Sequence, residues 1–210
     1  MMKVLGSESE RAYIYVHGMN GSKDDAEGFA GTAERFGYQV VSFDVESFDP
    51  VNTLPELEGV YSFAAERWKN VSLYAVSIGA WYSMVCFRTK PIAQTLLVSP
   101  VVSMSNLIER MMQSAGVSHE LLREKGTIGS LSWEYYTFAK KHEITNWQCR
   151  TRILYPERDN ITPRHEIEGF AKKFACELSV LPDAEHWIHT SRELEFLRQW
   201  EESAFTQQLC

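Results

Sequence analysis

No stretch of this 210-residue chain approaches the roughly 18 consecutive apolar residues that a membrane span needs. Met1 to Glu8 carry no long apolar segment either, so no secretory leader is expected and the chain reads as cytoplasmic. Positive charge is not in excess: 21 Lys and Arg stand against 28 Asp and Glu, a net −7. That balance argues against a nucleic-acid or anionic-membrane partner and fits ordinary solubility. The four cysteines, Cys86, Cys149, Cys176 and Cys210, show no C-x-x-C spacing and read as free thiols in a reducing compartment. No histidines and carboxylates have metal-ligand spacing of the H-x-x-x-H kind, so no metal is expected. Neither G-x-G-x-x-G nor a Walker A sequence occurs, so no nucleotide or other cofactor is implied. Internal repeats and low-complexity segments are absent as well.

What is present is a chain of 44% hydrophobic residues, enough for one well-packed domain spanning 1–210 and too short for two. Short apolar runs recur at Ala12 to Val16, Gln39 to Phe43, Val71 to Val76, Gln94 to Ser99, Arg152 to Tyr155 and Glu177 to Leu181. Most are apolar on both faces, as in strands covered on two sides. Helix signatures lie between them. Ala26 to Phe36 follows Asp24 and Asp25, and a helix is expected from about Glu56 behind Pro55. Thr162-Pro163 reads as an N-cap and first-turn proline, with Ile167, Phe170, Ala171 and Phe174 then on one face. Thr190-x-x-Glu193 is a capping box ahead of a last helix that turns Leu194, Leu197 and Trp200 inward. Alternating strands and helices predict a mostly parallel α/β sheet flanked by helices.

Residues 101–148 break the alternation with helical pieces and no convincing strand. Ser105, Ser118 and Ser132 are their expected caps, and Gly116 and Gly126 close the first two. The segment reads as a small helical cap over the strand ends, where ligands bind in such sheets.

The chemistry centres on Ala75-Val76-Ser77-Ile78-Gly79-Ala80, directly after an apolar strand. A serine between small residues, where strand turns sharply into helix, has its hydroxyl at a strained tip beside free backbone N–H groups. Such a hydroxyl needs a base and a group to orient that base. His186, beyond the last strand, is the candidate base, and Asp159, beyond the preceding strand, the candidate orienting acid. His189 is a rival base, and Glu157 and Asp183 are rival acids. The Ile78 N–H and the Met19 N–H, in His17-Gly18-Met19-Asn20-Gly21, are candidate oxyanion donors. His17 itself reads as a loop organiser, and Asp44 as a turn or capping acid.

Taken in order, the His-Gly loop, the serine elbow, the acid loop and the Glu185-His186-Trp187 loop resemble the α/β hydrolases, a serine esterase/lipase-like superfamily, along essentially the whole chain. Two positions depart from that pattern: Ala75 stands where glycine is usual, and Pro156 where glycine often precedes the acid. The resemblance implies a serine hydrolase that cleaves carboxylic esters of small to medium acyl groups through an acyl-enzyme. Its partner would be a small-molecule ester, without cofactor. Thioesterase or peptidase activity with the same triad, or a non-catalytic ligand-binding protein of the same fold, are the alternatives. Met104, Met111, Met112, Trp133, Tyr135, Tyr136 and Phe138 make residues 101–148 soft and aromatic, either as packing or as an acyl pocket. Trp133 and Met111 are the substrate-binding candidates.

Overall fold

Along one central strand, Ala12, Ile14 and Val16 belong to one buried layer while Tyr13 and Tyr15 belong to the other. A strand apolar on both faces has to be covered on both. The computed structural model, which describes residues 2–206, shows how. Its strands are β1 (Met2–Leu5), β2 (Arg11–Val16), β3 (Gln39–Phe43), β4 (Asn70–Val76), β5 (Thr95–Val98), β6 (Thr127–Ile128), β7 (Leu131–Ser132), β8 (Thr151–Pro156) and β9 (Glu177–Leu181). Seven of them form one sheet, in the order β1-β3-β2-β4-β5-β8-β9, parallel throughout except for β1 against β3.

Helices α1 (Ala26–Arg35) and α8 (Ser191–Thr206) cover one face, packing Phe29, Ala33, Trp200 and Phe205 on Tyr13, Val40 and Tyr74. On the other face lie α2 (Pro50–Arg67), α3 (Ile78–Phe87) and α7 (Arg164–Phe174), with Leu57, Trp81 and Ile167 against Ile14, Leu73 and Ile153. Each such side chain, fully buried, contributes roughly 1.5–3 kcal/mol of transfer free energy. Between β5 and β8 the chain makes α4 (Met104–Ser114), α5 (His119–Lys125), the β6–β7 hairpin and α6 (Trp133–Lys141).

The mostly parallel α/β sheet read from the sequence is the architecture observed. Several local expectations are corrected. Edge strand β1 was not foreseen, because Met2 and Val4 are exposed and it lacks a two-sided apolar run. Nor was the two-residue β6–β7 pair inside the helical segment. Helix α2 starts at Pro50, not near Glu56: the Asp49 carboxylate accepts from the Val51 and Asn52 N–H groups at 3.0 Å. Pro55 is carried inside α2 at the loss of one helical hydrogen bond. Ser103 caps α4 in place of Ser105, which is buried and donates to Glu143. Pro163, rather than Thr162, occupies the N-cap of α7: among the described residues the Thr162 hydroxyl is buried without a hydrogen-bond partner, and its N–H donates to Asp159. Leu194 projects from α8 at 48% exposure, whereas Leu197 packs on the core and Trp200 is buried as expected, and the inward face continues through Glu201, Ala204 and Phe205. Cys210 lies outside the described residues; Cys86, Cys149 and Cys176 are free thiols.

Candidate active site

Parallel strands end on a common edge, so the loops after β2, β4, β8 and β9 meet there. Between β4 and α3 a single residue, Ser77, reverses the chain, at φ 52° and ψ −123°. A non-glycine residue in such a region stores about 1–3 kcal/mol and persists only where its surroundings over-determine it. Here the Ser77 N–H donates to Val98 O at 3.0 Å, and Ser77 O accepts from Ala80 N–H at 3.1 Å and Val101 N–H at 3.0 Å. Gly79 permits the close approach of α3 to β2, since a Cβ there would lie 2.3 Å from His17 O. Ala75 is buried in the layer of Ile14 and Leu73, so its methyl fits where glycine was the more usual choice.

The structure brings Ser77, His186 and Asp159 into one hydrogen-bonded chain. Ser77 Oγ lies 2.8 Å from His186 Nε2, and His186 Nδ1 lies 2.8 Å from Asp159 Oδ2. The Asp159 side chain is 0% exposed, and its Oδ1 accepts from the Ile161 and Thr162 N–H groups at 2.7 and 2.9 Å. An ionised carboxylate can only accept, so the imidazole keeps its proton on Nδ1 and donates it in a hydrogen bond to Asp159, which leaves Nε2 as the acceptor for the serine hydroxyl. That is the arrangement of an activated nucleophile.

The rival residues do other work. Glu157 accepts from the Asp183 N–H at 3.0 Å, and Asp183 pairs with Arg158 at 2.6 Å. With Glu157 N–H to Leu181 O and Arg158 N–H to Ala184 O, these contacts strap the acid loop to the histidine loop. His189 is turned aside, its Nδ1 2.8 Å from Trp187 O and its ring stacked on Trp187 at 4.3 Å.

Beside Ser77 runs the loop after β2. A Cβ on Gly18 would come within 3.1 Å of the Ser77 Cβ, tighter than ordinary packing, so glycine eases the close approach of this backbone. His17 Nε2 accepts from Val45 N–H at 2.9 Å, which places the ring proton on Nδ1, where it donates to Gly18 O at 2.7 Å. Asp44 holds the far side of the loop through the Lys23 ammonium and N–H, contacts that keep its carboxyl below the usual range. Among the described residues, the Met19 and Ile78 N–H groups donate to no other residue.

Within residues 101–148, α6 meets α3 through aromatic contacts. The Tyr82 hydroxyl of α3 donates to Phe48 O at 2.7 Å and shares a hydrogen bond with Tyr135 at 2.8 Å. Burial raises both phenols, that of Tyr135 to about 12. Phe138 meets Trp81 edge to face. Trp133 packs within the segment, against Tyr136 and His119, and Met111 is 40% exposed. Two parts of the site had gone unread: the turn N–H groups that hold Asp159, and the Phe48–Tyr82–Tyr135 contact. Asp159-Asn160-Ile161-Thr162 carries the signal for the first, an Asx turn in which the side chain caps its own following backbone. Nothing local signals the second. Among the described residues no three His, Cys, Asp or Glu side chains converge as metal ligands, and no helix is long and apolar enough to cross a membrane.

No protein-family model and no curated protein matches the sequence. Solved structures do match. Est1E from Butyrivibrio proteoclasticus superposes with a TM-score of 0.77 at 15% identity, over 99% of this chain and 93% of that one. For alpha/beta hydrolase domain-containing protein 10 from mouse the TM-score is 0.73 at 16% identity, over 99% and 94%. Paleococcus ferrophilus monoacylglycerol lipase gives 0.67 at 15%, over 97% and 98%. At such identities the likeness is one of fold, and the fold of this chain is that of the α/β hydrolases.

Proposed function

We propose that the protein is a serine hydrolase of carboxylic esters. The observation that carries this reading is the unbroken hydrogen-bond chain from Ser77 Oγ through His186 to the buried, fully bonded Asp159. Ser77 attacks the ester carbonyl while its proton passes to His186 Nε2. Asp159 holds the imidazole in the reactive tautomer and stabilises the imidazolium. The Met19 and Ile78 N–H groups receive the oxyanion. His186 then protonates the departing alcohol, and water, deprotonated by the same imidazole, releases the acid from Ser77. Solved structures of similar fold include one named as a monoacylglycerol lipase and one as an esterase, names that are compatible with this chemistry. The acyl group would lie against residues 101–148, with Trp133 and Met111 contributing to the wall and small to medium chains preferred.

The test is hydrolysis of p-nitrophenyl esters of rising chain length, with a thioester and an aminoacyl anilide alongside, and labelling by a fluorophosphonate. Ser77→Ala should abolish labelling and lower turnover by at least roughly 10³-fold; Asp159→Asn should cost about 10³–10⁴-fold. Wild-type activity in Ser77→Ala would overturn the assignment, and turnover of the thioester alone would move the substrate class. Trp133→Ala or Met111→Ala should shift chain-length preference, a two-carbon shift being roughly tenfold in selectivity at about 0.8 kcal/mol per methylene. Equal loss on every ester would remove both residues from the pocket.

A further inference from the structure

The turn that holds Asp159 is itself held from outside, by the helical segment between β5 and β8. On α4, Arg110 Nη2 donates to Ile161 O at 2.9 Å, while Nη1 pairs with the Glu166 carboxylate of α7. Asn106, one turn earlier on α4, reaches the same Glu166 oxygen at 3.4 Å. Ile161 O belongs to the peptide unit whose other end is the Thr162 N–H. That N–H is one of the two backbone donors to Asp159 Oδ1, at 2.9 Å.

A trans peptide is planar, with its C=O and N–H pointing in opposite directions. Fixing the oxygen toward α4 therefore aims the N–H at Asp159. A cation at the oxygen also polarises the unit and strengthens the N–H as a donor. The Tyr155 hydroxyl supports the same turn, but on Thr162 O at 3.2 Å, which belongs to the next peptide unit. Tyr155 therefore does not set the orientation of the plane that Arg110 holds. The planar, two-pronged guanidinium suits the task, since one prong locks onto Glu166 and the other onto the carbonyl.

We propose that Arg110 is a positioning residue for the triad acid, acting through the Ile161–Thr162 peptide so that α4 takes part in holding the catalytic geometry. This rests on the triad reading above. The rival role is a plain structural pin between α4 and α7, and the experiment separates the two. Arg110→Met and Arg110→Lys are made in the wild-type and Asp159→Asn backgrounds, with Glu166→Gln as a control that spares the Ile161 contact. The readouts are kcat and KM on p-nitrophenyl acetate per fluorophosphonate-titrated site, the low-field proton resonance of His186 Nδ1–H, and the melting temperature.

Positioning predicts that Arg110→Met lowers kcat per titrated site about 10- to 100-fold, with KM changed less than about twofold. Arg110→Lys should fall between, Glu166→Gln should stay within about threefold of wild type, and the His186 resonance should shift or broaden. In the Asp159→Asn background the same changes should cost less than about twofold, because the group being positioned is already disabled. Equal losses in both backgrounds would overturn the proposal. So would a lower melting temperature with kcat per site and the His186 resonance unchanged. If Arg110→Met does not fold, Arg110→Lys carries the same comparison. Wild-type protein that neither hydrolyses esters nor labels would refute the ester reading, and the His186 resonance would then decide the role of Arg110 alone.

Discussion

Replacing Ser77 with glycine should give a more stable protein than replacing it with alanine, although both substitutions remove the same hydroxyl. Each loses the 2.8 Å hydrogen bond to His186, so that term cancels in the comparison. What differs is the backbone at φ 52°, ψ −123°, where a side chain costs about 1–3 kcal/mol and glycine costs almost nothing. Glycine loses about 0.4–1 kcal/mol more than alanine through the greater freedom of the unfolded chain. The net difference is about 0–2.6 kcal/mol, about 1.3 kcal/mol at the middle of both ranges, in favour of Ser77→Gly. For a chain of this size the middle value corresponds to a melting temperature about 3–5 °C higher. Urea denaturation and calorimetry of both variants at one pH measure it, and neither depends on what the protein hydrolyses. An alanine variant as stable as the glycine variant, or more so, would show that the elbow stores no strain.

Two further substitutions test the framework behind the site. Glu201, buried on α8 and accepting from the Tyr74 hydroxyl at 2.7 Å, has its carboxyl raised from 4.5 to about 7 by burial, with Tyr15, Arg198 and Glu202 as the other charged or titratable neighbours. The folded state then holds a proton that the unfolded chain releases, so stability is greatest at and below about pH 4.5 and is lost up to about pH 7, by on the order of 3 kcal/mol. Glu201→Gln should raise the urea midpoint at pH 8 and leave it nearly unchanged at pH 4.5; an equal shift at both would refute the burial argument. Gly79→Ala should destabilise by about 1–3 kcal/mol, because the added Cβ meets the His17 carbonyl rather than a movable side chain. An unchanged urea midpoint would mean that α3 can pivot away from β2.

How far the chain could be read depended on whether the information was local. The central strands declared themselves because both of their faces are apolar, whereas β1 is an edge strand with an exposed, alternating face and passed unnoticed. Helix starts were legible where one side chain had one task, as with Ser118, Ser132 and the Thr190–Glu193 box. They were misplaced where two groups competed. Asp49 outbid Pro55 for the start of α2, and Thr162 serves the Asp159 turn with its N–H while α7 opens one residue later, at Pro163. Ser77, Asp159 and His186 stood out because a parallel sheet brings the ends of its strands together whatever their separation in sequence. Arg110 did not stand out. An arginine on a helix between a glutamate and a methionine has no pattern, and its contacts at Ile161 and Glu166 exist only in three dimensions.

The three linked side chains are not held equally, and the inequality has a direction. Asp159 is fully buried and saturated: two turn N–H groups and the imidazole take its oxygens, and the turn is itself braced by Tyr155 and Arg110. Ser77 is set by backbone bonds to Val98, Ala80 and Val101. His186 has no comparable support; its side chain is 18% exposed, and its ring nitrogens bond only to the other two members. It rides on a loop tied to the acid loop by the Glu157–Asp183 and Arg158–Ala184 contacts. In the proposed reaction the imidazole must swing its proton from the serine oxygen to a leaving oxygen, so some freedom there is useful. The same freedom at the acid would let the tautomer drift. Bracing therefore has most effect at Asp159, which is where α4 sends its arginine.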